Sequence, residues 1–111
     1  MKKLVYEKPK VVAEIGCNHK GELKTAKELV KLAKSCNADY AKFQKRNPKE
    51  LLKEDQYNAP HPNPMHSYGN TYGEHREFLE FSLEQHKELK EFCEKEEIGY
   101  ATSVWDVSSA K

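Results

Sequence analysis

The sequence predicts an α/β fold on a parallel sheet, corresponding to the first three β/α units of a (β/α)8 TIM barrel. Two short apolar runs, residues 10–15 and 39–44, read as strands that end in polar, potentially reactive side chains. An amphipathic helical pattern lies between them, and a third strand-like run, residues 100–105, follows further helical sequence. Charged groups at the C-terminal ends of successive parallel strands are how such a barrel builds its active site. The chain has 111 residues, whereas a complete barrel takes about 250. The expectation is therefore a truncated barrel, with residues 1–111 as its N-terminal segment and the rest of the barrel absent.

Each element has its own signal. Pro9 favours an extended entry into Lys10-Val11-Val12-Ala13-Glu14-Ile15, and Gly16 ends that run. From Glu22 to Cys36, Leu23, Ala26, Leu29, Val30, Ala33 and Cys36 recur at helical spacing. Glu22 suits the positive end of the helix dipole, and Asn37 suits a left-handed cap. In the second strand Tyr40, Lys42 and Gln44 share one face, Ala41 and Phe43 the other. The apolar face suits helices, which turns Lys42 and Gln44 toward the barrel lumen; by the same rule Glu14 points inward, and Ala13 and Ile15 outward. Residues 45–71, punctuated by Pro48, Pro60, Pro62 and Pro64, lose periodicity and read as a long, lid-like loop. Thr71-x-x-Glu74 and Ser82-x-x-Gln85 match helix capping boxes. They start a short helix with Phe78 and Leu79, then a longer one through Leu89, Phe92 and Cys93 that Gly99 closes. Residues 108–111 look like the start of another helix.

Composition excludes several classes. Hydrophobic residues make up 37% and charged ones 33%, with a net charge of +1 and the two signs intermixed. This gives no basic stripe for nucleic acid and no polybasic membrane patch. No run is long enough for a signal peptide or a membrane span, and a cytoplasmic location is expected. Cys17, Cys36 and Cys93 are odd in number and widely spaced, which fits a reducing compartment rather than a disulfide framework or zinc knuckle. Cys36 and Cys93 are expected as small core residues.

Glu14, Lys42, Gln44 and Thr102 or Ser103 converge at one rim if the strands are adjacent and parallel. A lysine there can hold a phosphate or carboxylate, a carboxylate can orient a hydroxyl, and the amide and hydroxyls supply directional hydrogen bonds. The set suits a small anionic, hydroxylated substrate. The competing reading is a structural ion pair between Glu14 and Lys42, since buried charges are normally paired. His19, in the first βα loop, is read equally as a packing residue and as a substrate contact. His61 and His66 lack carboxylate or cysteine neighbours and read as solvated loop; His75 and His86 read as surface or interface residues. No metal ligand is assigned within the chain, and no phosphate-binding glycine loop, nucleophile elbow or dinucleotide fingerprint occurs.

Taken together, Ala13-Glu14-Ile15-Gly16-x-Asn18-His19-x-Gly21, Ala38-Asp39-x-x-Lys42-Phe43-Gln44-Lys45, Thr71-Tyr72-Gly73-Glu74-His75 and Leu79-Glu80-Phe81-Ser82 resemble the N-terminal part of sialic acid (N-acetylneuraminate) synthases. The resemblance runs from about residue 9 to 111. It implies a (β/α)8 barrel that condenses phosphoenolpyruvate with N-acetylmannosamine, its 6-phosphate or a related amino sugar, and releases phosphate. It implies a divalent metal, Mn or Mg, with ligands on later strands outside this segment, and a homodimer completed by a C-terminal antifreeze-like domain also outside it. By position it makes Glu14 catalytic, facing the sugar with Gln44. Lys42 and Ser103, with Thr102 as the alternative hydroxyl, hold phosphoenolpyruvate, and Asn70 is a weaker sugar contact. The alternatives are a sister enzyme that condenses phosphoenolpyruvate with another sugar for a surface glycan, and a non-catalytic barrel fragment.

Overall fold

A computed structural model describes residues 4–111; the first three residues of the N-terminal reading lie outside it. Strands β1 (Val12–Gly16), β2 (Tyr40–Lys45) and β3 (Gly99–Val104) form a three-stranded sheet in the order β1-β2-β3, with both pairings parallel. Helix α1 (Leu23–Ser35) connects β1 to β2. Four α-helices lie between β2 and β3: α2 (Pro48–Leu51), α3 (Glu54–Asn58), α4 (Tyr72–Phe78) and α5 (Leu83–Lys95). Helix α6 (Val107–Ala110) follows β3. Among the described residues no helix is long and apolar enough to cross a membrane.

The sheet has two unlike faces because β2 alternates. Ala41 and Phe43 are fully buried beneath α1 and α5, where Ala26, Val30, Leu89 and Cys93 complete the core. Tyr40, Lys42 and Gln44 lie on the other face and are half-buried. In β1 Ile15 is buried, and a register shift between Glu14 and Gly16 lets the strand turn as it ends.

Local signals decide the ends. Helix α1 stops where expected, with Asn37 in the left-handed region at φ 63°. Ser82 and Gln85 form the full reciprocal capping box of α5. At α4 Thr71 accepts from the Glu74 amide, but the Glu74 carboxylate reaches the Asn70 amide instead of closing the box.

Several expectations need correction. The segment after β2 is not a bare loop: α2, α3 and a 3-10 turn at Pro64–His66 organise it. Prolines at the first helical positions of α2 and of that turn are compatible with helix, so the punctuation that looked like loop is partly helix initiation. Gly99 does not close α5. The turn is made by Glu97 at φ 59°, and Gly99 is the first residue of β3. Glycine is required there by proximity, since a Cβ would lie 2.4 Å from the Tyr40 ring. Cys36 is exposed because α1 ends at Ser35, which leaves Cys36 at the cap; Cys93 is buried as expected. His86 is buried rather than on the surface, its Nδ1 2.7 Å from the Tyr100 hydroxyl.

Candidate functional site

The open face gathers its polar groups at the C-terminal end of the sheet because the parallel register aligns them. Glu14 pairs in register with Lys42, Lys42 with Ala101, and Gln44 with Ser103. Registered residues of a parallel sheet share a face, so Glu14, Lys42, Gln44 and Ser103 form one polar group. Lys42 Nζ donates to Glu14 Oε2 at 2.6 Å, with the side chains 30% and 51% exposed respectively. The structural pair weighed from the sequence therefore exists, and it is partly open to solvent.

Gly16 makes room for this group. It adopts φ 55°, and a Cβ there would lie 3.3 Å from Glu14 Oε1 and 4.0 Å from Gln44 Nε2. A carboxylate oxygen and an amide nitrogen thus flank bare backbone, presenting an acceptor and a donor side by side.

Thr102 does not join the group. It is in register with Phe43, on the helix-packed face, and its Oγ1 is buried without a hydrogen-bond partner. Strand alternation therefore separates the two candidate hydroxyls and leaves Ser103 on the polar face. Asn70 is exposed in the turn before α4; its described contact is the amide bond to Glu74, which does not tie it to the strand ends.

The histidines sort by packing. His19 is buried and stacks on Phe81 at 4.0 Å between ring centroids, while its Nδ1 accepts from the Gly21 amide. Burial lowers its pKa to about 4, so it is a neutral anchor for the β1–α1 loop, the packing alternative of the two readings. Gly21 completes that anchor at φ 76°, where a Cβ would strike the Phe78 carbonyl oxygen at 2.4 Å. His61 and His75 meet with ring centroids 4.3 Å apart. Among the described residues no group of three or more His, Cys, Asp or Glu side chains is placed to hold a metal ion.

Sequence reasoning missed one constellation beside the rim. The Arg46 backbone and Nε donate to the two carboxylate oxygens of Glu80, each at 2.9 Å, with both side chains 10% exposed. Arg46 Nη2 also lies 2.9 Å from Cys17 Sγ, which in turn lies 3.8 Å from Gln44 Oε1. The period-two series Lys42, Gln44, Arg46 was the available signal. Glu80 had none, because its role depends on the turn between α4 and α5. Burial, opposed by the Arg46 charge, raises the Cys17 pKa above the ordinary thiol value.

The NeuB family model matches residues 29–111. The chain is 42% identical over 96 residues to a human N-acetylneuraminate-9-phosphate synthase, covering 86% of this chain and 26% of that protein. It is 30% identical over 103 residues to an N,N'-diacetyllegionaminic acid synthase of Campylobacter jejuni, covering 93% of this chain and 31% of the relative. The chain thus spans between a quarter and a third of the length of these relatives. Its fold superposes on a crystal structure of a sialic acid synthetase from Leptospira borgpetersenii with a TM-score of 0.70 at 24% identity, over 90% of this chain and 30% of that one.

Proposed function

Because the chain belongs to the NeuB family, we propose that it is the opening segment of a β/α-barrel enzyme that condenses phosphoenolpyruvate with an N-acetylated amino sugar. The observation that carries this is the convergence of Glu14, Lys42, Gln44 and Ser103 on the open face at the C-terminal ends of parallel strands. In a barrel that face is the lumen and that end is the active-site rim.

Each side chain has a role in the proposal. Lys42 supplies counter-charge to the phosphate or carboxylate of phosphoenolpyruvate, exchanging Glu14 for the substrate anion, and Ser103 adds a hydrogen bond. Glu14, released from Lys42, accepts from a sugar hydroxyl, while the Gln44 amide donates to a sugar oxygen. With the reactants held, the methylene carbon of phosphoenolpyruvate bonds to the aldehyde carbon of the open-chain sugar. Water adds to the resulting cation, and phosphate leaves. The residues described here do not form a metal site, so no step is drawn through the divalent metal that the resemblance implies. Its ligands, Mn or Mg being the expected ions, are proposed to lie on later strands of the longer protein, as is the dimer contact. The N,N'-diacetyllegionaminic acid synthase similarity favours a second acceptor class, a diacetamido sugar.

The test is phosphate release by the full-length protein that carries this segment, supplied with phosphoenolpyruvate, Mn or Mg, and a panel of N-acetylated hexosamines and diacetamido sugars. Release that requires both substrates supports the proposal and identifies the acceptor. Its absence with every sugar, from folded protein, rejects it.

A further inference from the structure

The Arg46–Glu80 ion pair is more heavily built than its place requires. A guanidinium and a carboxylate are both largely buried, and the carboxylate also takes the Arg46 backbone amide. Removing two charges from water costs several kcal/mol unless geometry and further hydrogen bonds compensate. Arg46 Nη2 turns toward Cys17 Sγ, and Cys17 Sγ contacts Gln44 Oε1. From these contacts we infer that Glu80, Arg46 and Cys17 form a head-to-tail relay of positioning residues that fixes the orientation of the Gln44 amide, and with it the site's preference for an oxygen acceptor on the sugar.

Donor direction supports the relay. Arg46 can only donate, so Sγ accepts from it. The thiol keeps its proton at neutral pH, because burial outweighs the Arg46 charge in setting its pKa. Its one hydrogen is then directed to Gln44 Oε1. That leaves the Gln44 N–H groups facing the space over Gly16, beside the Glu14 carboxylate, which favours the positive end of the amide. The opposite amide orientation turns its oxygen to the space over Gly16 that Glu14 Oε1 also borders, and leaves the thiol hydrogen without an acceptor. The relay thus converts a side chain that can donate or accept into a committed donor. A sugar carbonyl or ether oxygen fits there; a group that can only donate does not.

The relay rests on the proposed role of Gln44 at the sugar, and the experiment separates the two. In the full-length protein, initial rates are measured against each substrate for Cys17→Val, Cys17→Ser, Arg46→Met, Gln44→Ala and the Cys17→Val/Gln44→Ala double variant. Cys17→Val keeps the ion pair and so guards against loss of folding in Arg46→Met. Cys17→Val should raise KM for the sugar about five- to tenfold, while KM for phosphoenolpyruvate stays within twofold. Cys17→Ser, which can still accept and donate, should restore most of the loss. The double variant should be no worse than Gln44→Ala alone, since the thiol acts only through that amide. If Gln44→Ala impairs sugar use but Cys17→Val adds to it in full, or affects both substrates equally, the relay is wrong and the sugar reading stands. If Gln44→Ala leaves sugar kinetics unchanged, the reading of Gln44 falls and the relay with it.

Discussion

At the scale of single residues, exposure decides what the Glu14–Lys42 pair can be for. Partly exposed ion pairs contribute roughly 0–1 kcal/mol to stability, and these two side chains are 51% and 30% exposed. Glu14→Gln in the full-length protein should therefore shift the melting temperature little, and, if Glu14 faces the sugar as proposed, turnover should fall by tenfold or more. A sharp drop in melting temperature with normal activity per folded molecule would make the pair structural. If Lys42 holds phosphoenolpyruvate as proposed, Lys42→Ala removes a charged hydrogen bond worth about 1.5–3 kcal/mol, and KM for phosphoenolpyruvate should rise roughly ten- to hundredfold. Unchanged kinetics at limiting phosphoenolpyruvate would take Lys42 out of the site. The buried histidines act oppositely, on stability rather than chemistry. Burial, with smaller contributions from Lys45 and His19, lowers the His86 pKa to about 4 from the ordinary imidazole value of about 6.5. Between those values the unfolded chain binds a proton that the folded chain refuses, so stability is full above about pH 6.5 and is lost as pH falls toward 4. The slope approaches 1.4 kcal/mol per pH unit. His86→Gln should flatten the fall in melting temperature across that window; an unchanged slope would mean that His86 is protonated in the folded protein.

At the scale of elements, the segment between β2 and α4 is held to α4 by close contacts of α3. The Tyr57 hydroxyl of α3 donates to Glu77 of α4 at 2.5 Å, the Tyr72 amide donates to the Ala59 carbonyl at 2.7 Å, and the Tyr57 ring lies over Gly73. A Cβ at Gly73 would stand 2.2 Å from that ring. Gly73→Ala should force α3 off α4, at about 1–3 kcal/mol for the overpacked contact. Hydrogen exchange in residues 48–60 should quicken, while β2 and α5 stay protected. Unchanged exchange would mean that Tyr57 finds another rotamer at no cost. This contact also marks where the sequence stopped being legible. Elements with a periodic signal were readable: the α1 apolar stripe, the β2 alternation that faces Lys42 and Gln44 one way, and the α5 capping box. Position 73 was not, because a glycine inside a helical pattern does not say which distant ring needs its space. Cys36 and His86 were misplaced for a related reason: one-residue shifts at a helix end and packing against β3 decide their exposure. The site divides in the same way. The inward facing of Glu14, Lys42 and Gln44 followed from strand period, Ser103 was separated from Thr102 only by the register of β3, and the Arg46–Glu80 contact needed the turn between helices to exist.

At the scale of the whole molecule, the described residues give three strands of the proposed barrel. Strands β1 and β3 are both edges, and open edges invite pairing with other chains. Apolar side chains collect beside them. Val12 and Leu32 are 49% and 59% exposed on the β1 side, and Trp105 and Val107 are 56% and 65% exposed after β3. A cleft of about 320 Å³ beside β1, lined by Val11, Ala13, Ile15, Leu29 and Leu32, lies where a closing strand and helix of the proposed barrel would pack. The radius of gyration is 16.8 Å, whereas a compact domain of about 100 residues has roughly 13 Å. Among the described residues the polar group of Glu14, Lys42, Gln44 and Ser103 lies open to water, with Lys42 and Glu14 side chains 30% and 51% exposed. Residues 1–111 expressed alone should therefore be catalytically silent and either partly unfolded or self-associated. Light scattering after gel filtration should show oligomers or an expanded species, a thermal melt should be broad, and phosphate release with phosphoenolpyruvate and sugar should stay at the uncatalysed rate. A monodisperse monomer that melts cooperatively and releases phosphate only with both substrates would overturn this. It would show that three strands suffice for the chemistry, and that the proposed later strands supply neither the closure nor the metal ligands assigned to them.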